Sequence, residues 1–245
     1  MIVNITKYKA IGILFILPLI GIGCQKKNNT IAVAPFSILN VESKNQSTNA
    51  AVEIVSPSEE SIVGDSFESY FIITGFSDDG DHLHYMLDDG DIIEHANMNS
   101  PVKLEGVRKG AHALRAIAVG KDHVSYKSTK SVDVVNFYVE EKGPSALIDN
   151  SKPMLLLNLP SGSYESSQQD SVVLDFWLSN AKLGLYDYKI GYSLDGFEGT
   201  LPLWKTSVIS ELSNGKHKLI LDLIDPNGKI VLGNLNHTVR TFVVN

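Results

Sequence analysis

Residues 82–90 read HLHYMLDDG and residues 189–196 read KIGYSLDG, so one short pattern occurs twice in the chain. In the first stretch Leu83, Tyr85 and Leu87 fall on one face of a strand, because successive side chains of a strand point to opposite sides. Each stretch ends in Asp and Gly, which favour a tight turn. The period of two predicts β-strands in both places.

The similarity extends beyond these stretches. His112 in GAHAL corresponds to His217 in GKHKL, and Phe137 corresponds to Phe242, each pair being 105 residues apart. Short alternating segments separated by glycine-containing turns are typical of an immunoglobulin-like or fibronectin-like sandwich. We therefore predict an all-β fold with two tandem β-sandwich domains of this kind, and the strand order stays open.

Composition divides the chain into five predicted parts. Residues 142–153 contain Gly, two Pro and polar residues, and the polar residues within 24–50 are mostly Asn, Ser, Thr and Lys. The parts are a signal peptide at 1–23, a polar tether at 24–50, a first sandwich at 51–141, a linker at 142–153 and a second sandwich at 154–245. The apolar piece IAVAPFSIL within the tether has no explanation from composition.

The N-terminus predicts export. Lys7 and Lys9 precede an apolar run that is too short to cross a hydrocarbon core of about 30 Å and that Pro18 interrupts. The run ends in small residues before Cys24, and no second cysteine is present for a disulfide. These features indicate a secretory signal rather than a membrane span.

The residues GIGC at 21–24 resemble the lipobox of bacterial lipoproteins, although Gly21 stands where that family usually has leucine. The resemblance implies that the sulfur of Cys24 is acylated and that the protein is a membrane-anchored lipoprotein of a bacterial envelope, in the outer membrane, on its periplasmic side or at the cell surface. An ordinary secreted protein is the alternative.

The charge of the chain restricts its partners. The formal net charge is −7, and loss of Lys7 and Lys9 with the signal makes it −9. Such a balance argues against nucleic acid and against electrostatic binding to anionic lipid head groups. Membrane attachment would then depend on the acyl chains.

The histidines fall into two classes. His112 and His217 occupy the same slot in both copies, so we expect each to bond a nearby turn or backbone carbonyl, with a ligand role as the alternative. His82 and His84 correspond to Lys189 in the second copy and to a glycine, so the fold does not require histidine there. We predict that both lie on the solvent-facing side of a strand.

Three interpretations of this pair stay open: polar residues on a wet face, a metal site, or a contact to a partner. Two histidines at i, i+2 are about 7 Å apart at their Cβ atoms, which permits a shared Zn(II) or Cu(II) ion. The predicted metal set is His82, His84 and His95, with Asp88 and His123 as alternatives to the third member. No other cofactor is expected.

The first copy resembles a module of bacterial lipoproteins that have no assigned activity. The resemblance rests on HLHYMLDDG, on GAHALRA and on a serine-lysine pair, Ser125 and Lys127 in SYKS, and it implies only the fold and the export. The second copy lacks both histidines of HxH and lacks Arg115. We therefore place any ligand-binding site on the first copy, with Arg115 on the outward face of a neighbouring strand.

No enzymatic motif is recognisable. The sequence contains no nucleophile elbow, HExxH, phosphate-binding glycine loop or CxxC pair, so we expect a protein that is not an enzyme. Trp177 shares a strand face with Asp175 and is predicted to be partly exposed, which suggests a carbohydrate platform.

The preferred function is therefore a non-enzymatic binding or structural module of the envelope, with a protein or glycan partner. A metal-handling module using the histidines and an accessory carbohydrate-binding lipoprotein are the alternatives.

Overall fold

The computed structural model describes residues 33–42, 49–76, 80–143, 148–165, 172–233 and 235–245. Cys24 and the predicted signal peptide lie outside these ranges. Every regular element within them is a β-strand, and no helix long and apolar enough to cross a membrane occurs there. Residues Ala34–Asn245 form one compact unit.

The first sandwich consists of two facing sheets. Its strands are β2 (Ala51–Ser56), β3 (Ile62–Val63), β4 (Phe67–Thr74), β5 (His82–Leu87), β6 (Ile93–His95), β7 (Val102–Leu104), β8 (Gly110–Val119) and β9 (Val132–Val139). One sheet has the order β2-β4-β7, and the other has the order β3-β9-β8-β5-β6. Pairing is antiparallel except between β3 and β9.

The second sandwich repeats this plan. Its strands are β10 (Met154–Leu159), β11 (Ser163–Tyr164), β12 (Val172–Ser179), β13 (Lys189–Leu194), β14 (Phe197–Leu201), β15 (Ser207–Ser210), β16 (Gly215–Ile224) and β17 (His237–Val244). The sheet orders are β15-β12-β10, extended by one further strand, and β11-β17-β16-β13-β14. In each copy a sheet formed by β2, β4 and β7, or by β10, β12 and β15, thus faces a sheet that contains β5, β8 and β9, or β13, β16 and β17, as in immunoglobulin-like sandwiches. The predicted fold class is confirmed.

Alternating apolar side chains fill a separate core in each sandwich. Leu83, Leu114 and Phe137 are among the fully buried residues of the first core, and Leu219 and Phe242 belong to the second. These side chains lie on the strand faces that the period of two assigned to the interior. The first core is therefore built by the same alternation as the second.

Part of the predicted tether is a strand of the second sandwich. Strand β1 (Ser37–Asn40) pairs antiparallel with β15 at the edge of that sheet, and Phe36 inserts its ring into the second core. The ring of Phe36 meets that of Phe197 edge to face, with centroids 5.9 Å apart. The prediction of a polar tether over 24–50 is wrong for these residues, because they form a paired strand and the side chain of Phe36 is buried in the second core.

The two equivalent histidines have the structural role that the repeat predicted. His112 Nδ1 bonds Asp88 Oδ2 at 2.7 Å, and His217 Nδ1 bonds Asp195 Oδ2 at 2.6 Å. In each case Nε2 bonds a backbone carbonyl four residues upstream. Each histidine thereby ties the turn after β5 or β13 to the start of β8 or β16, and the prediction is confirmed.

The linker is bonded to the first sandwich where it is described. The backbone N–H and carbonyl of Ile148 both bond the side-chain amide of Asn136, and Asn150 donates to the carbonyl of Val134. Asn180 of the second sandwich donates to the carbonyl of Asn150. The residues from 148 onward therefore connect the two sandwiches through hydrogen bonds.

The sandwiches meet across a third apolar cluster, which we call the junction. Its buried members are Met86, Ile117, Val119, Val132 and Val134 from the first sandwich and Met154, Leu156, Trp177 and Leu235 from the second. In the first sandwich these side chains lie on the outer face of the sheet that contains β5, β8 and β9. A face that a lone sandwich would expose to water is thus covered by its neighbour.

We predict that Phe36→Ala lowers the free energy of unfolding by about 3 kcal/mol, because it removes a buried ring from the second core. Leu39→Ala is the matched control, since that side chain is 64% exposed, and should change stability by less than about 0.5 kcal/mol. Urea unfolding of the full chain measures both. Equal, small effects would show that the segment does not pack in the second sandwich.

Candidate metal centre at the junction

Strand β5 directs two histidines into the junction. His82 and His84 lie opposite Leu83 and Tyr85, as the period of two predicted, but each is only 4% exposed. The prediction that they face solvent is wrong, because the second sandwich covers this face of the sheet. Side chains buried in this way need defined polar partners.

The third histidine comes from the loop between β8 and β9. His82 pairs in register with Val119, the last residue of β8, so the loop that follows turns back over β5. A tight turn closes this loop: the N–H of Gly120 donates to the carbonyl of Val124, and the N–H of His123 donates to the carbonyl of Gly120. This turn places the His123 ring against both β5 histidines.

The three rings converge on one point. His123 Nδ1 lies 3.0 Å from His82 Nε2 and 3.2 Å from His84 Nε2, and the three nitrogens all lie within 4.8 Å of one another. Ligand nitrogens around a tetrahedral zinc, at 2.0–2.1 Å from the ion, are about 3.3 Å apart. Two of the observed spacings are close to that value. We call these three residues the histidine cluster.

Hydrogen bonds fix the tautomers of two members. His82 Nδ1 bonds the carbonyl of Gly80 at 2.9 Å, and His84 Nδ1 bonds Asn158 Oδ1 at 2.8 Å. Because an oxygen of this kind only accepts, each Nδ1 carries the proton and each Nε2 presents a lone pair to His123. His123 Nδ1 can donate to only one of them, whereas a metal ion would accept all three lone pairs.

Asn158 of the second sandwich supports the cluster from outside. Its Nδ2 donates to the backbone carbonyl of His123 at 2.8 Å and to Asp175 Oδ2 at 2.9 Å, which leaves Oδ1 to accept from His84. Carbonyl and carboxylate partners of this kind orient metal-binding imidazoles and raise their basicity. A residue of the second sandwich therefore positions two members of a cluster that belongs to the first.

Asp175 anchors this arrangement at the junction. Its fully buried carboxylate accepts from four groups: Asn158 Nδ2, the N–H of Ser125 at 2.9 Å, Lys127 Nζ at 2.5 Å and Thr206 Oγ1 at 3.2 Å. Lys127 also donates to Ser125 Oγ at 3.0 Å. The serine-lysine pair noted in the sequence is therefore part of an ion pair that joins the sandwiches.

Burial alters the protonation of groups in this network. Desolvation, aided by the neighbouring His82 and His123, lowers the pKa of His84 to about 4 against the opposing hydrogen bond to Asn158. His84 is therefore neutral at neutral pH, the form that ligates metals. Burial also lowers the pKa of Lys127, and the charge of Asp175 opposes that change.

His95, the predicted third ligand, lies elsewhere. It is the register partner of Leu83 on β6, its Nε2 bonds the carbonyl of Ser100, and its ring lies 6.1 Å from that of Phe71. Register partners point to the same face of a sheet, so His95 shares the side of Leu83 rather than that of His84. The predicted set with His95 is therefore not brought together, and the histidine that lies with His82 and His84 is His123.

Arg115 and Trp177 lie on the outer faces of their sheets, as predicted, but both are buried. Arg115 is 1% exposed, its guanidinium donates to the carbonyl of Asp88, and burial lowers its pKa to about 10. Trp177 is 4% exposed, and its indole N–H donates to the carbonyl of Ser128 at 2.8 Å. A covered indole cannot stack on a sugar, so the predicted carbohydrate platform at Trp177 is wrong.

A cleft of about 430 Å³ opens beside the cluster. Its wall contains residues of both sandwiches: His84, Ile92, Glu94, Asp122, His123, Leu159, Ser161, Ser163, Tyr164 and Val173. Glu94 is the register partner of His84, and its Oε1 lies 4.0 Å from His82 Nε2. Two members of the histidine cluster are thus reachable from a space large enough for a small molecule.

Sequence reasoning missed Asn158 and Asp175 as supporting residues and did not select His123. Both missed residues lie on strand faces that point away from the core of the second sandwich. A polar residue on such a face reads in the sequence like any solvent-exposed residue, so nothing marked these two as buried. A signal for His123 did exist: it follows β8 by four residues, and β8 is the expected antiparallel neighbour of the strand that carries His82.

Comparisons with known proteins return only distant structural similarities. No protein-family model and no curated protein matches the chain. Fibronectin(III)-like modules of Clostridium thermocellum CbhA are 15% identical, with 79% of this chain and 92% of that chain covered and a TM-score of 0.28. The central fibronectin-III array of RIM-binding protein is 11% identical (75% and 60% covered, TM-score 0.27).

The N-terminal four Ig domains of Dscam1 isoform 7.44 are 12% identical, with 80% of this chain and 51% of that chain covered and a TM-score of 0.21. Similarities at this level carry no argument about function. The strand order of the two sandwiches is what defines the fold.

We predict that Asp175→Asn lowers the free energy of unfolding by about 3 kcal/mol, because it leaves the largely buried Lys127 ammonium without its counter-charge. The double variant with Lys127→Met should cost less than the sum of the two single changes, since it removes both charges together. Urea unfolding measures the cycle.

Lys205→Met provides the control for that cycle, because the Lys205–Glu42 pair is exposed, with Glu42 at 75%. Its effect should be less than about 1 kcal/mol. Additive effects of Asp175→Asn and Lys127→Met would contradict a coupled ion pair at the junction.

Proposed function

We propose that this chain is a membrane-anchored envelope lipoprotein whose two immunoglobulin-like sandwiches bind one Zn(II) or Cu(II) ion through His82, His84 and His123. The observation that carries the proposal is the convergence of three ring nitrogens, two of them held as lone-pair donors by the oxygens of Gly80 and Asn158. The metal-handling alternative thereby becomes the preferred function.

The chemistry of the cluster favours a transition metal. Neutral imidazole binds zinc and copper well, whereas calcium and magnesium prefer sets of oxygen ligands. Three histidines packed around one point would otherwise leave lone pairs facing one another in a buried site, which is unfavourable. A bound divalent ion removes that conflict, and its charge is compatible with the negative net charge of the chain.

A general binding module with an exposed histidine face has less support. That hypothesis required His82 and His84 at the surface, where a partner could reach them, and both are buried. The hypothesis of a non-enzymatic binding module agrees with the burial of His82 and His84 if the ligand that they bind is a metal ion. The lipid anchor at Cys24 would hold the domains at a membrane.

We expect the full chain, purified in detergent and stripped with a chelator, to bind one equivalent of Zn(II) or Cu(II) by isothermal titration calorimetry. His123→Ala should weaken that affinity by about tenfold to a hundredfold or more, because it removes one of three ligands. Mg(II) and Ca(II) should produce no measurable heat.

His95→Ala and His237→Ala are the controls for histidine content, since neither residue belongs to the histidine cluster. Both should retain the affinity of the unaltered chain. Failure of that chain to bind either metal, or equal losses in all three variants, would contradict the proposal.

The anchor requires a separate experiment. We expect cells expressing the chain to incorporate an alkyne-labelled fatty acid into it, and Cys24→Ser to abolish the label and release the protein from the membrane fraction. Ser58→Ala, an exposed change that leaves Cys24 intact, should remain labelled. A membrane-bound, unlabelled protein would show that attachment does not depend on acylation.

A further inference from the structure

The histidine cluster supplies three ligands, and a tetrahedral zinc ion has four. Within the residues that the structure describes, the group of converging ligand atoms consists of His82, His84 and His123. Glu94 approaches His82 to 4.0 Å but stands outside that group, and its side chain is 53% exposed. One coordination position is therefore left for a ligand from solution.

The cleft gives access to that position. His84 and His123 form part of its wall, so an ion held between them has one side toward the space of about 430 Å³. Small-molecule sites typically have about 300–1,000 Å³, which places this cleft at the lower end of the range. It has room for a small molecule, not for a folded partner.

The wall of the cleft has two kinds of polar group. Glu94 and Asp122 contribute carboxylates from the first sandwich, and Ser161, Ser163 and Tyr164 contribute hydroxyls from the second. The carboxylates favour a cationic group, whereas the metal favours an anionic or lone-pair donor. A ligand that satisfies both carries a positive and a negative group close together.

We propose that the metal-loaded cluster binds a free amino acid, or the terminus of a short peptide, as its fourth ligand. This inference rests on the proposed function. The ligand carboxylate coordinates the ion, and its ammonium group lies next to Glu94 at the mouth of the cleft. The hydroxyls of the second sandwich are placed to bond the remaining polar atoms of the ligand.

The test uses the full chain in detergent, loaded with one equivalent of Cu(II), with glycine as the probe. Glycine should change the electron paramagnetic resonance spectrum of the bound copper in a saturable way, while equilibrium dialysis shows that the copper remains on the protein. Acetate lacks the ammonium group and methylamine lacks the carboxylate. Each should bind at least about fivefold more weakly than glycine.

Glu94→Gln distinguishes the role of this carboxylate. It should weaken glycine binding by about threefold to fivefold, the effect of one partly exposed ion pair, and leave the copper affinity unchanged. Glu105→Gln is the control, because Glu105 is exposed and does not line the cleft. It should alter neither binding event.

Each failure has a separate meaning. Binding of neither Cu(II) nor Zn(II) would overturn the proposed function itself. Copper binding with no spectral response to glycine would overturn only the inference that one coordination position is open to a ligand from solution. A large loss of copper affinity in Glu94→Gln would identify Glu94 as the fourth ligand, and equal binding of glycine and acetate would exclude recognition of the ammonium group; either result overturns the inference.

Discussion

The junction depends on the hydrogen bonds and the ion pair that the carboxylate of Asp175 forms. This carboxylate is fully buried and lies on the outer face of the second sandwich, where it accepts from the backbone of Ser125, from Lys127 and from Asn158. A buried charge without such partners would cost several kcal/mol, so its donors must stay in place. Since two of them belong to the first sandwich, this requirement fixes how the two sandwiches meet.

The same hydrogen bonds extend to the histidine cluster. Asp175 orients the amide of Asn158, and that amide holds the ring of His84 and the backbone of His123. The geometry of the cluster therefore depends on the docking of the second sandwich, even though all three histidines come from the first. Metal binding and association of the sandwiches should stabilise one another, because each state preorganises the residues that the other needs.

Much of the fold could be predicted from the sequence, and burial of the site could not. The period of two placed Leu83 and Tyr85 on one side of β5 and both its histidines on the other, which the structure confirms. Alternation separates two faces without saying what covers each, so the histidines and Trp177 were wrongly assigned to solvent. The choice of His95 over His123 was wrong for a related reason. The alternation within strands does not show where the loop that carries His123 turns.

Strand β1 has a consequence for synthesis of the chain. It precedes the whole first sandwich, yet its partner strand lies far downstream: Asn40 bonds the hydroxyl of Ser207 across 167 residues. During translation the early segment therefore stays with unpaired backbone groups until the last quarter of the polypeptide emerges. Truncated chains would leave that edge open, which makes incomplete products the species most prone to aggregate.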